Sequence, residues 1–129
     1  MNRTSIINRI KSHKKQPNLR FQLKEKTEEF TNRLFYTLFD IETPVAENLE
    51  ILDVEFSKLV ELACWTDGRP CHEVWESYVS NLPTILELLN LDAEAIVECD
   101  PASNSIEEVY MAYPGFYAVA IYRLAHELY

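Results

Sequence analysis

The side chains of this sequence with the chemistry to form a site are three histidines, three cysteines and several paired or turn-borne carboxylates. A histidine acts as a base where a nucleophile and an orienting acid stand beside it. No serine, histidine and acid fall together here by local spacing. His13 lies in a basic stretch and is expected to be solvated. His72 follows Pro70 and reads as a surface or capping residue. His126 sits on an apolar helix, where a packed, hydrogen-bonded ring is the expectation. Cys64, Cys71 and Cys99 are odd in number and widely spaced, and no pair forms Cys-x-x-Cys. They read as free thiols rather than a disulfide framework or a metal site. The pairs Glu28-Glu29 and Glu107-Glu108 suit solvated helix faces. Asp100-Pro101 differs from all of these. Aspartate bonds its own backbone in a turn, and the proline ring fixes the turn's direction. On the residues alone the pair reads as a common turn dipeptide whose aspartate caps the turn.

The charge pattern narrows the partners. Residues 1–26 hold eight Lys/Arg and one acid, a balance of +7, whereas residues 27–129 hold four Lys/Arg and twenty acids, a balance of −16. An acidic body repels phosphate backbones, which argues against a nucleic-acid-binding core. The basic arm, residues 1–17, is expected to be a short solvated helix or to meet an anionic surface. No Gly-rich phosphate loop occurs, and no apolar run approaches the roughly 18 residues of a membrane span. No secretory signal pattern opens the chain. A cytoplasmic protein without membrane or nucleic-acid partners is the expectation.

The elements that would position these residues are helical. Only two glycines occur, against about nine in an average chain of this length, so tight β-hairpins are nearly excluded. Val45, Leu49, Leu52, Phe56, Leu59, Val60 and Ala63 step by three and four, predicting a helix over 43–65 with Thr43 as its cap. Leu23, Phe30, Leu34 and Leu38 predict another over 19–39, after a bend near Pro17. Ile6, Ile7 and Ile10 predict a short amphipathic helix over 2–13. Residues 66–70, Thr-Asp-Gly-Arg-Pro, read as a turn. Helices are then predicted over 71–79, from Leu82-Pro83 to about 89, and over 93–98 with Asp92 as cap. Trp65 and Trp75 flank the turn as core residues. Ser105 and Glu108 form a capping box for a helix ending near Ala112. Tyr113 should leave helical space before Pro114. A last helix runs from about Gly115 to the end. The reading is one all-α domain over 1–129, a bundle of about seven or eight helices with no β-sheet.

The last helix is apolar on most sides, with only Arg123, His126 and Glu127 interrupting it from Phe116 onward. Such a helix is normally buried or covered by a partner. Self-association through apolar helices follows as an expectation.

Residues 99–129 pair an Asp-Pro-Ala turn, Asp100 to Ala102, with a Gly-Phe-x-Ala-x-x-x-Tyr-Arg-x-x-His helix that begins fifteen residues after the aspartate, at Gly115. This stretch resembles the end of the N-terminal helical domain of serine O-acetyltransferases, the first enzymes of cysteine biosynthesis. The resemblance implies that Asp100 contacts the ammonium of serine, or of the feedback inhibitor cysteine, in the full enzyme, with Pro101 supporting its turn. It implies that acetyl-CoA is the co-substrate of that full enzyme. The catalytic histidine and the acetyl-CoA surface of the family lie on a left-handed β-helix of hexapeptide repeats, which this sequence lacks. The expectation is therefore a helical domain with no catalytic residue, cofactor or metal of its own, inactive alone. The family's tie to cysteine synthase runs through a C-terminal tail that is also absent. The alternative reading is a non-enzymatic helical interaction module.

Overall fold

The computed structural model describes residues 2–15, 21–63, 71–102 and 104–128. Six helices account for most of them: α1 Arg3–His13, α2 Phe21–Phe39, α3 Val45–Leu62, α4 Cys71–Cys99, α5 Ile106–Ala112 and α6 Pro114–His126. Among the described residues there is no strand, so the all-α class expected from the sequence is the one observed. The bend near Pro17, the turn at 66–70, Trp65 and Cys64 fall outside the described residues.

The helix count is lower than the sequence predicted, and Pro83 is the reason. The three helices expected over 71–79, 82–89 and 93–98 are one continuous α4, with Pro83 in its interior. A proline there removes one backbone hydrogen bond and crowds the carbonyl four residues back, a cost of about 3 kcal/mol. Trp75, Tyr78, Leu82, Ile85, Leu89 and Ala93 step by three and four along α4 and are all buried. Burying one large apolar side chain contributes roughly 1.5–3 kcal/mol. The stripe keeps its register through the proline, which itself faces solvent. Several such burials outweigh one proline. Asp92 consequently lies inside α4 and caps nothing.

α2 and α3 form a hairpin around Asp40. Its Oδ1 accepts from the Glu42 amide at 3.1 Å and its Oδ2 from the Thr43 hydroxyl at 2.7 Å. The Thr43 hydroxyl donates to Asp40, and the cap position of α3 falls to Pro44, so its first turn has no side-chain cap. Arg33 of α2 bonds Glu55 of α3 and donates to Asn48 Oδ1 at 3.2 Å, so the one buried amide of α3 is satisfied. Phe30 and Leu34 face Leu52 and Phe56 across the hairpin, and all four are buried. Leu23, Leu38, Leu49, Leu59 and Val60 are half-buried, while Val45 and Ala63 are exposed. The predicted inward faces are therefore right at their centres and too long at their ends.

Two aromatic clusters result. The first joins Phe30, Phe56, Trp75 and Tyr78, with Phe56 stacked on Trp75 at 5.2 Å between ring centroids. The second joins Phe35, Phe39, Tyr110 and Phe116, with Phe39 4.8 Å from Tyr110 and 5.5 Å from Phe116. α1 stands apart from both: it buries no residue, and Ile6, Ile7 and Ile10 are exposed.

Candidate functional site

Asp100 follows the last residue of α4, and its amide still donates to the Ile96 carbonyl at 2.9 Å. The carboxylate then holds two elements at once. Oδ1 accepts from the Ala102 amide at 2.9 Å, closing the turn that contains exposed Pro101. Oδ2 accepts from the Tyr113 hydroxyl at 2.6 Å. Tyr113 precedes Pro114 and has φ −93° and ψ 106°, the extended backbone that a following proline favours. It is the residue from which α6 starts. Asp100 therefore ties the end of α4 to the start of α6 across the short α5. The Tyr113 hydroxyl first, and the Ala102 amide second, hold the carboxyl below the ordinary carboxylate value, so it is ionised at neutral pH.

α5 between them is fixed by the predicted box. Ser105 Oγ accepts from the Glu108 amide at 3.2 Å. Glu108 reaches back to the Asn104 amide at 3.1 Å, one residue before the cap. Tyr110 donates to Asn90 Oδ1 of α4 at 2.6 Å. α6 is held to α4 by Arg123, whose Nε and Nη2 lie 2.8 and 3.4 Å from the Asp92 carboxylate. The buried Tyr78 hydroxyl donates to the Leu124 carbonyl at 3.0 Å. Burial first, and the Glu127 charge second, push that phenol well above its ordinary value.

The structure does not gather the three histidines around Asp100. His13 is exposed on α1, as expected. His72 is exposed in the first turn of α4, 4.0 Å from Glu76. His126 lies at the opposite end of α6 from Tyr113, roughly 20 Å along a helix of 1.5 Å rise. It is exposed and stacked on Tyr122 at 5.6 Å rather than packed inward, because the inward positions of α6 belong to Phe116, Ala120 and Leu124. Cys99, next to Asp100, is an exposed free thiol. Among the described residues no group of three or more His, Cys, Asp or Glu is placed to hold a metal. No helix among them is long and apolar enough to cross a membrane. What the arrangement can do chemically is present a fixed, ionised carboxylate to a cationic group.

The Gly-Phe-x-Ala-x-x-x-Tyr-Arg-x-x-His stretch divides between two faces. Phe116 is fully buried and Arg123 pairs with Asp92. Gly115, Ala118, Tyr122 and His126 step by three and four along the outer face of α6. Space is open at Gly115, where an added Cβ would meet nothing within 4 Å. Tyr122 is 67% exposed. Sequence reasoning missed Tyr113 as the partner of Asp100 and Asp92 as the partner of Arg123. The only signal for either was opposite or complementary chemistry thirteen and thirty-one residues apart, which many other pairs share.

No protein-family model matches the chain, and no solved structure matches it. Its sequence is 31% identical over 103 aligned residues to a serine acetyltransferase (plasmid) of Synechococcus elongatus, a match that covers 72% of this chain and 32% of that protein. The chain thus spans about a third of the length of the curated relative it matches. That partial coverage is consistent with an N-terminal domain, and it agrees with the resemblance carried by Asp100-Pro101 and the α6 residues. On this match the chain is a part-length relative of the serine acetyltransferases.

Proposed function

We propose that this chain is the N-terminal helical domain of a serine O-acetyltransferase, an enzyme that transfers the acetyl group of acetyl-CoA to L-serine in cysteine biosynthesis. The likeness to the Synechococcus protein carries the reading. Its role is to contribute Asp100 to the serine pocket and to help assemble subunits. An ionised carboxylate beside the substrate ammonium fixes the amino acid and orders its hydroxyl for attack. The Ala102 amide and the Tyr113 hydroxyl hold the Asp100 carboxylate in a fixed direction, which supports its meeting that ammonium in one orientation. The outer face of α6, with Val119 and Tyr122 exposed, is the surface proposed for self-association or for contact with the remainder of the enzyme. The histidine base and acetyl-CoA surface belong to the remainder, and so does the tail through which that family binds cysteine synthase. The domain is proposed to work in the cytoplasm and to be inactive alone.

The test is Asp100→Asn in the full-length enzyme. The serine Michaelis constant and the cysteine inhibition constant should rise together, by about tenfold to a hundredfold, the effect of losing one charge-assisted contact. The acetyl-CoA constant should stay in place, because the thioester binds elsewhere. If the serine and cysteine constants both hold while thermal stability falls, Asp100 is a turn residue and nothing more.

A further inference from the structure

An open groove of about 530 Å³ runs between the C-terminal half of α2 and the α5–α6 corner. Its floor is aromatic: Phe35, Tyr36, Phe39, Tyr110 and Tyr117. The rings follow one another closely, with Phe35 4.7 Å from Phe39 and 5.3 Å from Tyr117. Two carboxylates, Asp40 and Glu107, also line the groove, and no Lys or Arg is among its lining residues. Asp40 is held ionised by the Thr43 hydroxyl and the Glu42 amide. At the groove's margins Ile41 is 98% and Met111 86% exposed. A second groove, lined by Leu23, Phe30, Leu59 and Leu124, has no charged lining, so nothing in it selects an occupant.

We propose that the aromatic groove docks an arginine or lysine side chain carried on a basic, amphipathic segment of a partner protein. The proposal goes beyond the acetyltransferase reading and does not depend on it. Aromatic faces attract a cation through their quadrupole, and Arg also stacks flat on them. Asp40 and Glu107 add the charge complementarity that a neutral apolar ligand would not use. The groove holds more than one cationic head group, and Ile41 and Met111 extend its apolar surface outward. A segment that presents apolar residues beside its cation fills both parts, whereas a small free cation fills only the floor.

The experiment is an NMR titration of the 129-residue chain with a short helical peptide bearing one Arg flanked by Ile and Leu. A matched peptide carries Gln in place of the Arg, and tetramethylammonium serves as the small-cation probe. Binding of the Arg peptide should shift signals of Tyr36, Met111 and Tyr117 and should weaken as salt is raised. Tyr36→Ala and Glu107→Gln should each weaken it about threefold to tenfold. Both residues are exposed, so unchanged thermal melts keep the comparison valid. Equal binding of the Gln peptide would overturn the proposal in favour of a plain apolar surface. Binding of tetramethylammonium as tight as the Arg peptide would overturn it in favour of a small-molecule site. Shifts confined to other residues, or no shifts at all, would also overturn it.

Discussion

Around Trp75 the rings of Phe30, Phe56 and Tyr78 are buried among α2, α3 and α4 and meet only an uncharged groove, whereas around Phe39 the rings of Phe35, Tyr110 and Tyr117 line a groove bordered by carboxylates. Ring spacing does not separate the two. Centroids lie 5.2 to 6.2 Å apart in the first and, with Phe116 included, 4.7 to 6.4 Å apart in the second. What separates them is what stands at the edge. Trp75 is 2% exposed and its neighbours are nearly as buried, while Tyr36, beside Phe35, is 59% exposed and Asp40 and Glu107 border the open cluster. Aromatic density alone therefore does not distinguish a core from a surface; the flanking carboxylates and the missing cover do.

The largest test of this contrast is Trp75→Ala. Emptying the closed cluster should cost about 3–5 kcal/mol in urea unfolding, whereas Tyr36→Ala in the open one should stay within about 0.5 kcal/mol. Equal losses would erase the distinction. Next comes Pro83→Ala. If the buried stripe around Trp75 and Tyr78 carries α4 through the proline, restoring an amide there should stabilise the chain by about 1–3 kcal/mol. A fall in the melting temperature would mean that the proline fits a bend the packing needs. Ser105→Ala removes the cap of α5, which brings Tyr110 to the open cluster, and should cost about 1 kcal/mol. Solvent exchange of α5 amides should rise before that of α3.

The smallest effect is that of acid on the Asp100–Tyr113 tie, which anchors α6 beside the open cluster. The folded pKa of Asp100 is depressed below 3.8. Its contribution to stability is therefore present above 3.8 and is lost as pH falls from there through the lowered folded value. Tyr113→Phe removes the donor. Melting curves of the variant and the parent should differ at neutral pH and converge below that window. A constant gap from neutral to strong acid would show that the phenol acts through packing alone.

Local features of the sequence translated well into structure. The step-three and step-four spacing of Phe30 and Leu34, and of Leu52 and Phe56, marked the centres of the inward faces. The Ser105–Glu108 box and the break at Tyr113 depend on neighbouring residues and were readable for that reason. Pro83 misled, because a local cost of one residue says nothing about the number of burials on either side of it. Thr43 misled as well: α3 is capped one residue later, at Pro44, and the hydroxyl donates to Asp40 instead. The position of Asp100 at a turn was legible, and its bond to Tyr113 was not, since only the folded path of α5 brings them together. His126 was expected to pack because its helix is apolar, but Phe116, Ala120 and Leu124 fill the inward stripe and leave the ring outside.

The Asp40 turn has a consequence for how quickly the chain finds its shape. It joins two long helices by a connection of only a few residues, and it locks that connection with its own side chain. Bringing together ends so close in sequence sacrifices little chain freedom. The contacts of Phe30 and Leu34 with Leu52 and Phe56 thus become available early, and α4 through α6 can then be laid onto a hairpin that already exists. Chains built from such sequence-local contacts fold on microsecond to millisecond timescales. The same carboxylate that borders the aromatic groove in the finished protein is, during folding, the hinge pin of its first meeting of helices.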